Sequence, residues 1–373
     1  MRRTVVIAAN SAWNIANFRD GLIRGLREAG WDPVAVAPRD DVGSARLEAL
    51  GIAHEAIGMA RSGMNPAADL RLLWAYRTLL ARLGPVAFLG FTIKPNIYGS
   101  LAASALGIPA IPNVSGLGTA FIRKGLLQFV VSRLYRRAFR AVPLVFFQNP
   151  DDRDLFVARR IVEADRTALL PGSGVDLERF EQSDQPDGPP VFLLVGRMLR
   201  DKGVVEFVEA ARGLAPQLPG ARFQLLGEID QANRTAISRS DIDRWVDEGV
   251  VEYLGTSDDV RPFLKRASAV VLPSYREGLP RSLLEAAATG RPLIATDVPG
   301  CREIVEEGVN GYLCAAGDAE SLAAAIARFA TLPPKTRASM GNASRKKVQE
   351  RFSEQFVFRA YVAALDRLAG TSD

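Results

Sequence analysis

The chain has 373 residues, of which 48% are hydrophobic and 24% charged, a composition typical of a soluble folded protein. This length predicts about two domains, each large enough for its own core. The composition excludes a disulfide-stabilised scaffold, because Cys301 and Cys314 are the only cysteines, and no apolar run reaches the ~20 residues that cross a bilayer. We therefore expect a protein of the reducing cytoplasm.

The net charge of +5 is unevenly distributed along the chain. No Asp or Glu occurs between Asp69 and Asp151, and this interval contains ten Lys and Arg residues. The rest of the chain carries 37 basic and 42 acidic residues, so a strongly basic region belongs to an otherwise slightly acidic protein. Such a region predicts an anionic partner on one side of the molecule.

Short apolar strands alternate with amphipathic helices from the N-terminus onward. In the first half we predict helices at 17–29 and 68–83 and strands at 4–9, 33–37, 85–90, 109–114 and 143–147. In the second half the predicted strands are 191–196, 222–226, 250–254, 268–272, 292–295 and 311–314. Continuous apolar strands separated by helices indicate parallel sheets that are covered on both faces.

The alternation is interrupted once, by a stretch rich in Pro, Gly and Asp that we interpret as a linker. The sequence thus predicts an α/β protein with two doubly wound, Rossmann-like domains that face a cleft, and ligands beyond the carboxyl ends of the strands. We place the N-terminal domain at 1–172, the linker at 173–190 and the C-terminal domain at 191–352. The last segment, 353–373, is predicted to form a helix that crosses back to the N-terminal domain.

The basic region contains a segment with helical periodicity, 122–141. Four arginines follow the spacing i, i+3, i+4, i+7 and form one stripe beside an apolar one: Arg133, Arg136, Arg137 and Arg140. One interpretation is a helix packed on a core with a solvated basic face. We favour contact with an anionic membrane surface, to which each well-placed Lys or Arg contributes ~1 kcal/mol. Nucleic acid is not expected, because no binding motif accompanies the charge.

Two cations follow the first strand of the second domain. That strand ends at Gly196, and Arg197 and Lys202 lie in the loop before the next helix. Cations at the carboxyl end of a strand can neutralise the charge that develops when a diphosphate leaves. The alternative is that both are solvated residues of a surface loop.

Two glutamates follow another strand end. The apolar run 270–272 stops at Pro273, Glu277 lies in the loop, and Glu285 lies in the helix that Pro280 begins. Free backbone N–H groups at the start of that helix favour a phosphate, whereas carboxylates accept hydrogen bonds from sugar hydroxyls. The arrangement suits a diphosphate between two polyols, although two solvated surface glutamates would show the same spacing.

These motifs together resemble the retaining nucleotide-sugar glycosyltransferases of family four, which have the GT-B fold. The resemblance is carried by G-R-x4-K-G at 196–203, by the two glutamates separated by seven residues, and by G-x-x-E at 300–303. The N-terminal half resembles bacterial N-acetylhexosaminyltransferases that extend sugars on polyprenyl diphosphate. This second resemblance is carried by NFRDGLIRGL (17–26), KPNIYGSLAASALGIP (94–109), SGLGTAFI (115–122) and PGSGVDLERF (171–180).

The resemblance implies a role for each donor-side residue. Arg197 and Lys202 would hold the donor diphosphate, Glu277 the hydroxyls of the donor sugar, and Glu285 those of the ribose. The catalytic residues would be Arg197, Lys202 and Glu277. The donor-binding residues would be Gly196, Arg197, Lys202, Glu277, Gly278, Leu279, Pro280, Arg281 and Glu285.

On the acceptor side, this chain differs from the family pattern at one position. Many relatives place a histidine of the N-terminal domain against the donor sugar, whereas the single His54 lies in a strand-like segment and is expected to be packed. Lys94 or Asn96 would then supply the polar contact. The predicted residues of the acceptor and membrane side are Asn14, Arg19, Lys94, Asn96, Gly116, Gly118, Arg123, Lys124, Arg133, Arg136, Arg137 and Arg140.

The sequence and the resemblance thus predict a bacterial glycosyltransferase that needs neither a metal nor a cofactor. It would move a hexose or N-acetylhexosamine, with retention, from a UDP-sugar to a polyprenyl-diphosphate-linked sugar in surface-glycan or glycoprotein-glycan assembly. It would be cytoplasmic and peripherally bound to the inner face of the cell membrane. The alternatives are a transferase with a soluble or protein acceptor, and a non-catalytic nucleotide-sugar-binding protein, which the intact set of cations and glutamates disfavours.

Overall fold

The computed structural model describes residues 3–60, 63, 65–117, 126–231 and 233–370, of which Leu126 and Leu127 are described by their backbone alone. The chain forms two compact units. The first comprises Met1–Gly174 together with Glu354–Asp373, and the second comprises Val175–Ser353. Each unit is built on its own parallel sheet, so the predicted α/β class with two Rossmann-like domains is confirmed.

In the described residues, the first unit has a seven-stranded parallel sheet in the order β3-β2-β1-β4-β5-β6-β7. Its strands are β1 (Thr4–Ala8), β2 (Asp32–Ala37), β3 (Ala53–Ala56), β4 (Ala87–Gly90), β5 (Ala110–Val114), β6 (Val145–Phe147) and β7 (Thr167–Leu169). Its helices are α1 (Ala12–Phe18), α2 (Asp20–Glu28), α3 (Asp41–Ala49), α4 (Pro66–Leu83), α5 (Ser100–Ala105), α6 (Leu126–Phe139), α7 (Pro150–Ala158) and α15 (Glu354–Gly370). A π-helical turn, Pro95–Gly99, precedes α5, and a 3₁₀ turn, Ala164–Arg166, precedes β7.

Alternating strand residues divide the core of this unit into two layers, because successive side chains of a strand point to opposite faces. Val6 and Phe88 pack with α4, α5, α6 and α7 on one face. Val5 and Leu89 pack with α1, α2, α3 and α15 on the other. Strand β7 was not among the predicted strands, and β3 was recognised only as the strand-like segment around His54, because both are short edge strands of the sheet without a buried apolar run.

The final helix, α15, belongs to the first unit. It packs along α2, where a Cβ at Gly21 would collide with Glu354 and one at Gly25 would collide with Phe358. Two glycines four residues apart therefore let the helices approach closely. Tyr361 of α15 is buried among Phe91 and Phe146 and accepts a hydrogen bond from the amide of Asn113.

The second unit has, among its described residues, a six-stranded parallel sheet in the order β10-β9-β8-β11-β12-β13. Its strands are β8 (Val191–Val195), β9 (Arg222–Leu226), β10 (Glu252–Tyr253), β11 (Ala269–Leu272), β12 (Leu293–Thr296) and β13 (Gly311–Cys314). Its helices are α8 (Val204–Leu214), α9 (Arg239–Asp247), α10 (Arg261–Arg266), α11 (Arg281–Ala288), α12 (Cys301–Ile304), α13 (Ala319–Ala330) and α14 (Pro334–Arg351). A 3₁₀ turn, Arg200–Lys202, leads into α8.

Most of the segment predicted as a linker, 173–190, packs on the second unit. Val175 and Phe180 are buried in its core. Arg345 of α14 donates hydrogen bonds to the carbonyl oxygens of Leu177 (3.1 Å) and Phe180 (2.6 Å). The lack of apolar periodicity in this segment reflects irregular backbone that is fixed by arginine side chains.

In the described part of the chain, no helix combines the length and the apolar character that a membrane crossing requires.

Candidate functional site

The two loops predicted to bind the donor lie side by side in the second unit. Strands β8 and β11 are paired neighbours, and the strand order reverses between them. The loop 196–203 follows β8 and the loop 273–280 follows β11, so both lie at the carboxyl edge of the sheet. Ligands of open α/β sheets bind at such a reversal of strand order. The candidate site is therefore at this edge.

Lys202 and Glu277 form an ion pair between these loops, through Nζ and Oε1. The side chains are 23% and 13% exposed, so the pair is largely shielded from water but still reachable. Ser274 donates a hydrogen bond of 2.7 Å from Oγ to the same carboxylate oxygen. An ammonium group and a carboxylate with free hydrogen-bonding capacity are thus held together at the predicted position for a phosphate and a sugar.

Backbone contacts fix the two loops against each other. The carbonyl oxygen of Asp201, next to Lys202, accepts a hydrogen bond of 3.0 Å from the backbone N–H of Tyr275. Thr296, at the end of β12, donates from its hydroxyl to the carbonyl of Ser274. Gly203 has φ = 72° and no room for a Cβ against the carbonyl of Pro273. The ion pair therefore rests on a rigid base, as a preorganised site requires.

A buried carboxylate of α8 is hydrogen-bonded to the loop that follows β11. Glu206, in the first turn of α8, is 9% exposed and accepts a hydrogen bond of 2.5 Å from the hydroxyl of Tyr275. Burial, together with this carboxylate, raises the pKa of Tyr275 to about 12. The tyrosine hydroxyl consequently stays protonated and acts as a donor at neutral pH.

Arg197 is placed differently from Lys202. Its side chain is 53% exposed, and Nη1 lies 3.0 Å from Oδ2 of Asp230, in the loop after β9. An exposed ion pair of this kind contributes little to stability and can exchange partners at small cost. Arg197 can therefore turn to a bound diphosphate.

The second glutamate lies in α11. Pro280 immediately precedes the helix, and Arg281 and Glu285 form an ion pair of 2.5 Å one turn apart, with side chains 20% and 12% exposed. Gly300 has φ = 83°, and a Cβ there would collide with the carbonyl oxygen of Gly278. Loop 277–280, which includes the buried Leu279, is thereby held at the start of α11, where the positive end of the helix dipole favours an anion.

Burial raises the pKa of Glu285 above its ordinary value of 4.5, against the opposing effect of Arg281. Between the pKa of the unfolded chain and the higher pKa of the folded state, the folded protein binds more protons, so its stability falls as pH rises. We predict that Glu285→Gln has a higher melting temperature than the wild type at about pH 8 and loses this advantage near about pH 4. Thermal unfolding across this pH range measures the difference.

The exposed glutamate Glu350 (60% exposed) provides the control, because Glu350→Gln is expected to shift the melting temperature little at either pH. A Glu285→Gln protein that is less stable than the wild type at alkaline pH would show that the Arg281 ion pair outweighs the cost of burial.

In the first unit, two candidate acceptor residues follow β1. The sheet order reverses between β1 and β4, and Asn14 lies in α1 directly after β1. Arg19 is buried (6% exposed) with its guanidinium 4.3 Å from the centre of the Phe91 ring. Asn14 carries a buried Oδ1 without a hydrogen-bond partner among the described residues. Polar groups are thus gathered at the carboxyl edge of this sheet.

Two further candidates follow β4 and differ in accessibility. Lys94 forms an ion pair of 2.9 Å with Asp69 of α4, and both side chains are mostly buried. Asn96 is 1% exposed and donates a hydrogen bond of 2.8 Å to the carbonyl of Asn113. The structure therefore places Asn96 in an internal network and leaves Lys94 nearer the surface.

The single histidine, His54, lies in β3 with Nε2 3.1 Å from the carbonyl oxygen of Ala37, in keeping with a packed histidine.

The remaining candidates of this unit are only partly described. Gly116 has φ = 132°, which favours glycine, in the loop after β5. Gly118, Arg123 and Lys124 lie outside the described residues. The four arginines of the stripe are all exposed at or near α6.

One member of this arginine stripe has a structural partner. Arg136 donates hydrogen bonds to the carbonyl oxygens of Arg159 (2.7 Å) and Arg160 (3.1 Å), just beyond the C-terminal end of α7. A cation at a helix C-terminus satisfies free carbonyl groups. Arg136 therefore connects α6 to the end of α7, a structural role that is independent of what the other three arginines of the stripe contact.

In the described part of the chain, no group of three or more His, Cys, Asp or Glu side chains is arranged to hold a metal ion.

Several site residues escaped sequence reasoning. Ser274, Thr296 and Asp230 contact the predicted donor residues, and Asp69 pairs with Lys94. Ser274 and Thr296 could have been identified as polar residues at the carboxyl ends of apolar strands. The roles of Asp230 and Asp69 could not be predicted from the residues around them in sequence, because their cationic partners, Arg197 and Lys94, are distant along the chain.

Two protein families match this chain, one in each unit. The family "Glycosyl transferases group 1" matches residues 176–347, and "Glycosyl transferase 4-like domain" matches residues 15–172. Together the matches span most of the chain and follow its two units. The protein is a GT-B glycosyltransferase, and its two halves belong to these two families.

The chain is 27% identical to the N,N'-diacetylbacillosaminyl-diphospho-undecaprenol alpha-1,3-N-acetylgalactosaminyltransferase of Campylobacter jejuni, over 95% of this chain and 96% of that protein. It is 26% identical to an Escherichia coli UDP-Gal:alpha-D-GlcNAc-diphosphoundecaprenol alpha-1,3-galactosyltransferase, over 63% and 64% of the two chains. A solved structure of HepE from Anabaena with UDP and glucose has a TM-score of 0.81 at 18% identity, over 98% of this chain and 100% of that one. The relatives are glycosyltransferases, some acting on sugars linked to undecaprenyl diphosphate, and the HepE match shows the shared fold.

Proposed function

We propose that the protein transfers a hexose or N-acetylhexosamine from a UDP-sugar to a sugar linked to a polyprenyl diphosphate, with retention of the anomeric configuration. The observation that carries the proposal is the Lys202–Glu277 pair at the carboxyl edge of the second sheet, beside the start of α11. It sets a cation for a phosphate next to an acceptor for sugar hydroxyls. The UDP bound by the structural neighbour HepE supports the choice of nucleotide.

Each donor-side residue has a distinct task in this proposal. Lys202, joined by Arg197 once it leaves Asp230, stabilises the negative charge on the departing diphosphate. Glu277 accepts hydrogen bonds from the donor sugar and Glu285 from the ribose. The bond from the anomeric carbon to the diphosphate oxygen breaks, and a bond to the acceptor oxygen forms on the same face. The departing phosphate oxygen takes the proton of the acceptor hydroxyl, so UDP leaves and no metal or cofactor takes part.

The proposed acceptor, a sugar on a lipid diphosphate, is supported by the names of two relatives and by the positive charge of the first unit. The names of the two relatives specify sugars on diphospho-undecaprenol as their acceptors. The acid-free basic interval of the first unit, residues 70–150, suits a lipid diphosphate and anionic headgroups. We therefore propose that the protein works at the inner face of the cell membrane in bacterial glycan assembly, bound peripherally to the anionic surface.

We predict transfer from one UDP-sugar of a panel of UDP-hexoses and UDP-N-acetylhexosamines to lipid acceptors in a bacterial membrane extract. Transfer should persist in EDTA, and the product should keep the α configuration of the donor. Mass spectrometry identifies the product, and NMR gives its anomeric configuration. An inverted product would contradict retention, and transfer only to water-soluble acceptors would favour the soluble-acceptor alternative.

The matched control for this assay is the Lys202→Ala protein, which should give no more than a small fraction of the wild-type product. Binding of a UDP-sugar without turnover on any acceptor would instead support the non-catalytic alternative.

A further inference from the structure

The three most exposed large apolar side chains in the described part of the chain lie on one side of the first unit. Leu70 and Trp74 of α4 are 56% and 59% exposed, and Phe129 of α6 is 59% exposed. Single exposed apolar residues are common, but aromatic and aliphatic side chains gathered on one surface mark an interaction site. We call Leu70, Trp74 and Phe129 the apolar anchors.

The anchors share a surface because α4, α5 and α6 cover the same face of the sheet. The opposite sides of α4 and α6 bury Tyr76 and Tyr135 in one common core. A helix that connects two parallel strands runs back along the sheet, so its N-terminal half lies near the carboxyl edge. All three anchors are in N-terminal halves, of Pro66–Leu83 and Leu126–Phe139, and therefore lie towards the edge that carries the acceptor candidates.

Two of the anchors have a cation beside them. The guanidinium of Arg77 lies 5.5 Å from the centre of the Trp74 ring, and that of Arg133 lies 5.7 Å from the centre of the Phe129 ring. Neither arginine forms an ion pair with any described residue, and no Asp or Glu occurs in residues 70–150. An exposed aromatic ring next to a cation without an ion-pair partner is complementary to an anionic bilayer. The ring can contact the acyl chains, and the cation can contact the phosphates that lie above them.

We propose that the outer surface of α4 and α6 docks on an anionic lipid bilayer, with the apolar anchors inserted among the acyl chains and Arg77 and Arg133 on the phosphates. The inference deepens the proposed function and rests on it, since a lipid diphosphate acceptor lies in that bilayer. The ion pair of Lys94 with Asp69 joins the first turn of α4 to the segment after β4. The inserted end of α4 is thus adjacent to an acceptor candidate.

This docking mode differs from the one that the arginine stripe predicts. Arg136, Arg137 and Arg140 lie in or beyond the C-terminal half of α6, away from the carboxyl edge, and Arg136 is bound to carbonyl groups beyond the end of α7. A purely electrostatic contact through them would be abolished by salt. Inserted side chains keep part of the affinity at high salt, because the hydrophobic contribution is not screened.

Tryptophan fluorescence tests insertion directly. Trp31 and Trp245 are buried, whereas Trp13 and Trp74 are exposed, and Trp13 belongs to α1 on the other face of the sheet. In a Trp13→Phe protein, vesicles of phosphatidylcholine and phosphatidylglycerol should shift the emission to shorter wavelength, and lipids brominated in the acyl chains should quench it. Adding Trp74→Phe should remove both effects. Vesicle-bound protein without a shift or quenching would overturn the proposal in favour of headgroup contact alone.

Co-sedimentation measures the affinity. Leu70→Ser with Trp74→Ser should weaken binding to these vesicles by about tenfold or more, at low and at high salt. Trp13→Ser is the matched control and should bind as the wild type does. Replacing Arg133, Arg136, Arg137 and Arg140 by Ser should reduce binding mainly at low salt. Binding that salt abolishes and that the Leu70 and Trp74 replacements leave unchanged would contradict insertion.

A vesicle-free assay separates the two proposals. Transfer to a short-chain, water-soluble acceptor should be the same for the wild type and for the Leu70→Ser, Trp74→Ser protein. Such activity together with no insertion would refute the docking surface and leave the proposed function standing. Insertion of Trp74 without transfer to any diphosphate-linked acceptor would support the surface and refute the function.

Discussion

Lys202→Ala is expected to slow sugar transfer by about a hundredfold to a thousandfold, the cost of removing a preorganised group that stabilises charge in a transition state. The lysine is the shielded cation of the pair with Glu277, so its charge acts through a region with little water. Its removal also leaves the Glu277 carboxylate without a counter-ion beside the diphosphate. Steady-state kinetics at saturating donor measure the loss.

Arg197→Ala should slow transfer less, by about tenfold, because Arg197 is 53% exposed and already shares its charge with Asp230. Lys346→Ala provides the control, since that side chain is 75% exposed on α14 and belongs to neither loop. Circular dichroism should show that all variants are folded. Wild-type rates in both Lys202→Ala and Arg197→Ala would exclude a role for these residues in holding the diphosphate.

The two glutamates are expected to separate turnover from nucleotide binding. Glu277→Gln should reduce turnover by at least about tenfold while leaving the affinity for free UDP nearly unchanged, because its proposed partner is the donor sugar. Glu285→Gln should weaken UDP binding by about tenfold, because its proposed partner is the ribose. Calorimetric titration with UDP and steady-state kinetics on the same preparations measure both effects.

Glutamine keeps the shape of each side chain and one acceptor oxygen, so these variants test charge with little change in packing. The reverse result, in which Glu277→Gln weakens UDP binding and Glu285→Gln reduces turnover without weakening UDP binding, would show that the two roles are exchanged. Ser274→Ala, which removes the 2.7 Å hydrogen bond to Glu277, should lower turnover in the same direction but less.

The sequence by itself determined the fold class and the position of the two loops proposed to bind the donor. Apolar runs such as 4–9 and 191–196 became β1 and β8, because a buried parallel strand must be apolar on both faces and this requirement is local. The loops after β8 and β11 were predictable for the same reason, since polar residues that directly follow a buried strand lie at the carboxyl edge of the sheet. The helices predicted from periodicity at 68–83 and 353–373 correspond to α4 (Pro66–Leu83) and α15 (Glu354–Gly370).

Only the tertiary structure decided which side chains are partners. Lys202 meets Glu277 across 75 positions of sequence, and Arg197 meets Asp230 across 33, because strand order brings those loops together and hydrophobic periodicity does not encode strand order. The same holds for burial: Asn96 looked like a contact residue in sequence, yet the packing of β4 against β5 encloses it. The exposure of Trp74 was likewise undetermined by sequence, because an aromatic residue in an amphipathic helix is expected inside, and only the packed neighbours show that it faces outward.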